Sequence, residues 1–282
     1  MALRRQRTGS VVCPSCGTLV GVSDERCYNC GRWNPGLWGF TPMLRRFGHD
    51  MGFVPFVIGG CSVIYLVTLL ISGPNMRMSG LFSLLSPDGT ILFLFGASGS
   101  MPVFAAGRWW TVLSASWLHG GLLHILFNML WVRQLAPATA DLFGPGRMII
   151  IYTAAGACGF LLSSVAGYLL PGVPILGGAR MTVGASAAVF GLLGALVAYG
   201  RRGSGLISRE AMGYAMMLFV FGLVMPGVDN YGHAGGFAGG YLLGRWLDPL
   251  RPERVEHVLA GIIALLASFL AILASILDGM RI

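Results

Sequence analysis

The sequence predicts an all-α polytopic membrane protein preceded by a small cysteine-rich module. Three observations predict it. Of 282 residues, 55% are hydrophobic and 11% charged, against about a quarter charged in a soluble domain. The apolar residues gather into runs of about 20, the length that crosses a bilayer. Four of the six cysteines stand in two CxxC pairs between Cys13 and Cys30, inside the only polar stretch of any length. The 43 glycines suit helices packed closely in lipid.

The charge balance excludes some functions. The net charge of +8 comes from arginine alone, since the chain has no lysine. No compact basic face with interleaved aromatics accompanies it, so it reads as membrane topology rather than nucleic-acid binding. The basic start MALRRQRTGS runs into no apolar core, so no secretory signal peptide is expected.

Residues 1–34 form the first module. Cys13-Pro14-Ser15-Cys16-Gly17 and Cys27-Tyr28-Asn29-Cys30-Gly31 are two knuckles, each closed by a glycine that permits a tight turn. Four thiolates suit a closed, structural tetrahedral zinc site. Disulfides and a redox CxxC are the alternatives, and a reducing cytoplasm argues against stable disulfides. So short a segment buries little core, and a metal would supply its folding energy. The module resembles a zinc ribbon, with a regulatory or interactive role expected and a partner its residues do not specify. Residues 35–50, with Pro35, Pro42, Arg45 and Arg46, read as a basic linker on the inner leaflet. Cys61 and Cys158 lie singly in apolar segments, as packing residues do.

Seven spans follow, at 52–72, 116–137, 147–170, 183–200, 208–225, 229–247 and 257–278, all within the expected length range. Arg201, Arg202 and Arg209 separate the fourth from the fifth, and Pro226, Gly227 and Asp229 the fifth from the sixth. Residues 73–115 are broken by Pro74, Pro87, Gly89, Gly96, Gly99 and Pro102 and read as a loop dipping into the interface, with Trp109 and Trp110 at headgroup level. A cytoplasmic N-terminus places fifteen arginines inside and four (77, 108, 180 and 281) outside, which favours N-in, C-out. Spans two, four and six then begin together at the outer face.

Ionisable residues within spans are functional candidates. His119 and His124 fall in the first half of span two and His233 near the start of span six. Ser186 lies about four residues into span four, roughly 6 Å below its start, at a depth similar to that of His233, as a Ser–His hydrogen bond requires. Gly232, Gly236, Gly240 and Gly244 make a GxxxG ladder on span six. Gly184, Ala187, Ala188, Gly191, Gly194 and Ala195 face it from span four. Close packing of the two spans would bring Ser186 to His233. Asp229 either orients His233 or caps span six, the cap being the expectation.

These residues carry a family resemblance. His119, His124 and Asn128 in Trp117-Leu118-His119-Gly120-Gly121-Leu122-Leu123-His124-Ile125-Leu126-Phe127-Asn128 resemble the second-helix signature of rhomboid intramembrane proteases. Gly184-Ala185-Ser186-Ala187 resembles their GxSG motif, and Gly232-His233-Ala234-Gly235-Gly236 their sixth-helix histidine motif. The resemblance covers roughly residues 50–250. It implies a rhomboid-like six-helix core (51–250) with a seventh helix (251–282). It implies Ser186 as nucleophile and His233 as general base, without a triad acid. His124, Asn128 and the Ser186 N–H would form the oxyanion hole, with His119 in a structural or water-retaining role and Gly184 in the nucleophile motif. Two positions depart from the pattern. Ala187 replaces the second glycine, and Thr111 in Gly107-Arg108-Trp109-Trp110-Thr111 stands where the family usually has arginine after tryptophan.

The expected function is cleavage of transmembrane protein substrates near the extracytoplasmic face of the cell membrane by a Ser–His dyad, with no cofactor for catalysis. An inactive rhomboid-like scaffold that binds membrane clients is the alternative. A transporter with histidine in a proton path would need a mid-membrane carboxylate, and no span has one.

Overall fold

A computed structural model describes residues 5–14, 16–41, 48, 50–78, 83–173, 178–225 and 227–281. Pro42, Arg45 and Arg46 of the expected linker, and Pro226, lie outside the described residues.

The N-terminal module is a two-stranded antiparallel ribbon. Strand β1 (Ser10–Val12) pairs with β2 (Leu19–Gly21) in the register Val11↔Val20. Its core is Val11, Cys13, Val20, Val22 and Cys27. So few side chains cannot offset the backbone entropy of ordering the module. The four sulfurs at its centre therefore matter to its folding.

The remainder is helical, and among the described residues seven longer helices match the seven expected spans in order. They are α1 (Phe53–Ser72), α2 (Leu122–Phe143), α3 (Pro145–Leu169), α4 (Ser186–Gly200), α5 (Gly205–Val224), α6 (Asn230–Trp246) and α7 (Val255–Gly279). The chain is a multi-pass membrane protein.

The expectation that all seven meet the spanning length holds for all but α4. Among the described residues α1, α3, α5 and α7 are the helices both long and apolar enough to cross a bilayer by themselves. Helix α4 has 15 residues and α6 has 17, while α2 carries His124, Asn128, Arg133, Gln134 and Asp141. Span two also starts later than expected. Gly120 and Gly121 break the chain, so His119 precedes α2 instead of lying within it. Span four starts later as well. Residues 182–185 are not helical, and Ser98 pairs with Thr182 in an isolated antiparallel bridge.

Helix α4 is the axis of the bundle. Every residue from Ala187 to Ala198 is buried, and α2, α3, α5 and α6 all pack on it. The glycine ladder of α6 lies against it, backbone to backbone. A Cβ at Gly236 would overlap the Ala187 carbonyl, one at Gly240 the Gly191 carbonyl, and one at Gly244 would stand 2.9 Å from Ala195 Cα. Gly232 is not part of this seam, since its open side meets Asp229 at 2.9 Å. Gly235 and Gly239 face α3 instead, against Leu162 and Cys158.

The described residues of 73–117 hold only short helical pieces, Gly73–Asn75, Gly89–Phe95, Met101–Ala105, Thr111–Ser114 and Ala115–Trp117, in keeping with a non-spanning loop. Trp109 is exposed, but Trp110 donates from Nε1 to Ser275 Oγ on α7 at 3.1 Å. At the other end of α7, the buried Arg147 donates to the carbonyls of Phe143, Arg251 and Pro252 at 3.2, 2.9 and 2.9 Å. Arg32 of the N-terminal module donates to the Glu253 carbonyl at 3.1 Å, which ties the module to the same end.

Candidate active site

Because α4 starts at Ser186, the residue stands at the helix tip rather than four residues inside it. The approach to it is fixed by backbone pairing. Ser98 and Thr182 exchange hydrogen bonds of 3.0 and 2.7 Å, and the Gly184 N–H donates to the Ala115 carbonyl at 2.9 Å. The first intrahelical bond runs from Val189 N–H to the Ala185 carbonyl. The N–H groups of the residues before Val189 have no intrahelical acceptor, as at any helix N-terminus, and Ala185 caps none of them with its side chain.

Gly184 is required at its position for two reasons. Its φ of +126° suits only glycine. A Cβ there would also meet His124 at 2.5 Å from Nε2 and 2.6 Å from Cε1. It therefore supports the imidazole of His124 and does not face α6 as the sequence suggested.

His124 lies in the first turn of α2. Its Nδ1 accepts from the Gly120 N–H at 3.3 Å. A neutral imidazole accepting at Nδ1 carries its proton on Nε2, the atom beside Gly184. Asn128 follows one turn later, buried, with one amide hydrogen donated to the His124 carbonyl at 2.8 Å. His119 is buried with its ring edge-on to His124, centroids 5.3 Å apart.

His233 is the fourth residue of α6 and is buried. Its ring stacks on Phe190, centroids 4.2 Å apart and planes 13° from parallel. Among the described residues its Nδ1 has no hydrogen-bond partner. The Asp229 side chain accepts from the Gly232 N–H at 2.9 Å and caps α6, as expected. Among the described residues no hydrogen bond joins Ser186 to His233. The two side chains nevertheless line one cavity of about 900 Å³ together with His124 and Asn128. Hydrogen bonds at catalytic sites are often long before substrate arrives.

The cavity continues between α2 and α5, past Trp131, Gln134, Met217 and Phe221. Helix α5 is the least embedded wall, burying only Ala211, Ala215 and Gly222. Two contributors escaped the sequence reading. Phe190 could have been found, since it lies one turn after Ser186 on the same helix face. Gly120 acts through its backbone, which carries no sequence signal.

The four cysteine sulfurs lie within 4.8 Å of one another, with Cys13–Cys30 at 3.7 Å and Cys16–Cys27 at 3.6 Å. Four ligands at about 2.3 Å around a tetrahedral zinc stand about 3.8 Å apart, whereas a disulfide needs about 2 Å. The donor set thus fits a metal. Gly17 and Gly31, at φ +75° and +71°, return their N–H groups to the Cys13 and Cys27 carbonyls at 3.0 and 2.9 Å, which folds each knuckle. Hydrogen bonds with Thr18 outweigh burial and draw the Cys16 thiol down to about 6, whereas burial pushes the neighbouring Cys30 thiol up to about 12.

Comparison with known proteins is consistent with this geometry. The family model for the rhomboid domain matches residues 106–249, just over half of the chain. RHOMBOID-like protein 7 of Arabidopsis thaliana is 33% identical over 166 residues, covering 57% of this chain and 50% of that protein. RHOMBOID-like protein 4 of the same plant is also 33% identical, covering 57% and 40%. The rhomboid protease GluP of Bacillus subtilis (strain 168) is 32% identical over 160 residues, covering 55% and 29%. The chain thus spans half or less of the length of these relatives.

Proposed function

The chain belongs to the rhomboid family, and from that premise we propose that it is an intramembrane serine endopeptidase acting on transmembrane protein substrates. One observation carries the reading. Ser186, His233, His124 and Asn128 line a single cavity, and the helices bearing the serine and its base touch backbone to backbone.

Ser186 Oγ attacks the scissile carbonyl carbon while His233 takes the hydroxyl proton. The carbonyl oxygen gains the negative charge. It meets the N–H groups at the start of α4, the Nε2–H of His124 and the free amide hydrogen of Asn128, donors held in place before the reaction. The intermediate collapses, His233 gives its proton to the leaving amine, and an acyl-enzyme remains. Water, deprotonated by His233, then releases the new carboxyl terminus and restores Ser186. Phe190 keeps the His233 ring in one plane throughout.

The substrate helix reaches the serine through the gap between α2 and α5. A helical peptide bond is shielded by its own hydrogen bonds, so segments that unwind locally are favoured. The arginine distribution favours an N-terminus in the cytoplasm and a C-terminus outside the cell membrane, which supports cleavage near the outer face. Residues 1–34 form a cytoplasmic module in which Cys13, Cys16, Cys27 and Cys30 hold structural zinc. Residues 35–50 link it to the core at 51–250, and 251–282 add α7.

The test is reconstitution in liposomes with a model transmembrane substrate. The parent cleaves, and Ser186→Ala and His233→Ala do not. Cleavage that persists in both variants would sink the dyad. A folded parent that cleaves nothing leaves the scaffold reading in its place.

A further inference from the structure

Helix α7 lies beyond the family match, which ends at residue 249, and none of its residues lines the cavity. An accessory helix could pack through apolar side chains alone. Instead, α7 presents Ser268 and Ser275 from its buried face to two indoles. Trp117 Nε1 donates to Ser268 Oγ at 2.9 Å and Trp110 Nε1 to Ser275 Oγ at 3.1 Å.

Between these indoles and the end of α7 lies Arg108, with no exposed surface. Its guanidinium donates to the Phe93 carbonyl at 2.7 Å and stacks over the Phe93 ring at 4.4 Å. It also donates to the Ser275 carbonyl and pairs with Asp278 at 3.2 Å. A buried charge is costly unless fully partnered, and half of the partners of Arg108 belong to α7. This arginine sits three residues before Thr111, the position where an arginine was expected. Thr111 bonds the Arg108 carbonyl at 2.8 Å and Ser98 Oγ at 3.4 Å.

The held segment is the one that fixes the approach to Ser186. Ser98 pairs with Thr182, Ser100 and Met101 donate to the carbonyls of Ala179 and Arg180, and Ala115 accepts from Gly184. A continuous set of hydrogen bonds therefore runs from α7 through residues 93–115 to residues 179–184.

We infer that α7 is a positioning element for the nucleophile, with Arg108 and Asp278 as positioning residues that seat the 89–117 segment and through it the residues leading into α4. The catalytic half of this inference rests on the protease reading above, and the seating half does not.

The test uses the full chain in membranes. Ser98→Cys with Thr182→Cys sits on a hydrogen-bonded antiparallel pair, where Cα atoms stand about 5.5 Å apart, within the range that a disulfide spans. The rate of closure under a mild oxidant reads the seating without reference to activity. Adding Asp278→Ala is expected to slow it up to about fivefold, the scale of one partly exposed ion pair, while Asp278→Glu restores it. Leu270→Ala, on the exposed side of α7, should leave it unchanged. In the native-cysteine chain, Asp278→Ala should lower kcat about tenfold to a hundredfold, the effect of misplacing reacting groups by up to 1 Å, with little change in KM. Asp278→Glu should recover most of it. Equal closure rates with and without Asp278→Ala overturn the inference, as does a pair that never closes in the parent. Slower closure with an unchanged kcat overturns the positioning role. If the folded parent cleaves no substrate, the protease reading fails and the closure rates alone decide the seating.

Discussion

The seam between α4 and α6 makes a demanding prediction about a residue that touches no catalytic group. Gly240 lies seven residues beyond His233, about 10 Å farther along α6. A methyl group there would stand 2.5 Å from both the carbonyl carbon and Cα of Gly191 and closer still to the Gly191 oxygen. Carbon atoms in contact prefer about 3.5–4.0 Å, so the helices must part by about 1 Å. The resulting strain should cost about 1–3 kcal/mol of stability. If the parting reaches the Ser186 end, the misplacement should lower kcat by up to about a hundredfold, equivalent to about 2.7 kcal/mol. Gly213→Ala on α5 is the matched control. A Cβ there meets nothing within 4 Å, and alanine favours the helix by up to about 1 kcal/mol. Reconstituted cleavage and the thermal midpoint in detergent measure both variants. Parental kcat and midpoint in Gly240→Ala would refute direct backbone contact between the helices. Equal damage by Gly213→Ala would show a generic glycine effect instead.

Three further outcomes follow from single contacts. Gly184→Ala meets both an unfavourable backbone region, worth about 1–2 kcal/mol, and the His124 ring. It should lose about a hundredfold or more in kcat while remaining folded, and parental activity would remove Gly184 from the oxyanion side. Asp229→Ala should lower stability by about 1 kcal/mol through the lost cap and change kcat only a few-fold, whereas a triad acid would cost about 10⁴; the ratio of kcat values decides. Metal analysis of the reduced full-length protein should give one zinc per chain, abolished by Cys27→Ser, and a zinc-free parent would refute the metal site.

Legibility in the sequence followed the range of the interactions. The ladder Gly236, Gly240 and Gly244 was readable because small residues at i, i+4 and i+8 share a helix face, and its partners Ala187, Gly191 and Ala195 show the same period. Gly232 has that spacing too, but it lies in the first turn, where the Asp229 cap occupies its open side. The start of α4 was not readable from hydropathy. Thr182 to Ala185 is apolar enough to extend the span, and an extended buried segment gives the same signal as a helix. Gly184 was the local sign of the break, as Gly120 and Gly121 were for α2. The docking of α7 had no sequence signal. Its donors Trp110 and Trp117 lie more than 150 positions from their acceptors, and the Arg108 partners include carbonyls, which every residue possesses.

The short helices explain how a polar site sits within a membrane protein. The helices long and apolar enough to span are α1, α3, α5 and α7, while the site is built on α2, α4 and α6. A helix shielded by its neighbours need not match the bilayer, because its ends meet protein or a water-filled cavity instead of lipid. Helix α4, at 15 residues, is about 22 Å long against a hydrocarbon core of about 30 Å. With its Arg201 end at one surface, Ser186 lies about 8 Å below the other. That depth is close to the one inferred from a longer helix, but its cause is different. A serine four residues inside a helix would have its own N–H bonded to the preceding turn. A serine at the tip keeps its N–H available for a developing negative charge. The Ala187 departure fits the same construction. Its methyl turns away from the cavity into a small cluster with Ala115 and Phe160, opposite Gly159 of α3, where a Cβ would come within 2.8 Å of it. Glycine on α3 thus makes room for alanine on α4, and the seam with α6 depends on the Ala187 carbonyl, which the substitution leaves in place.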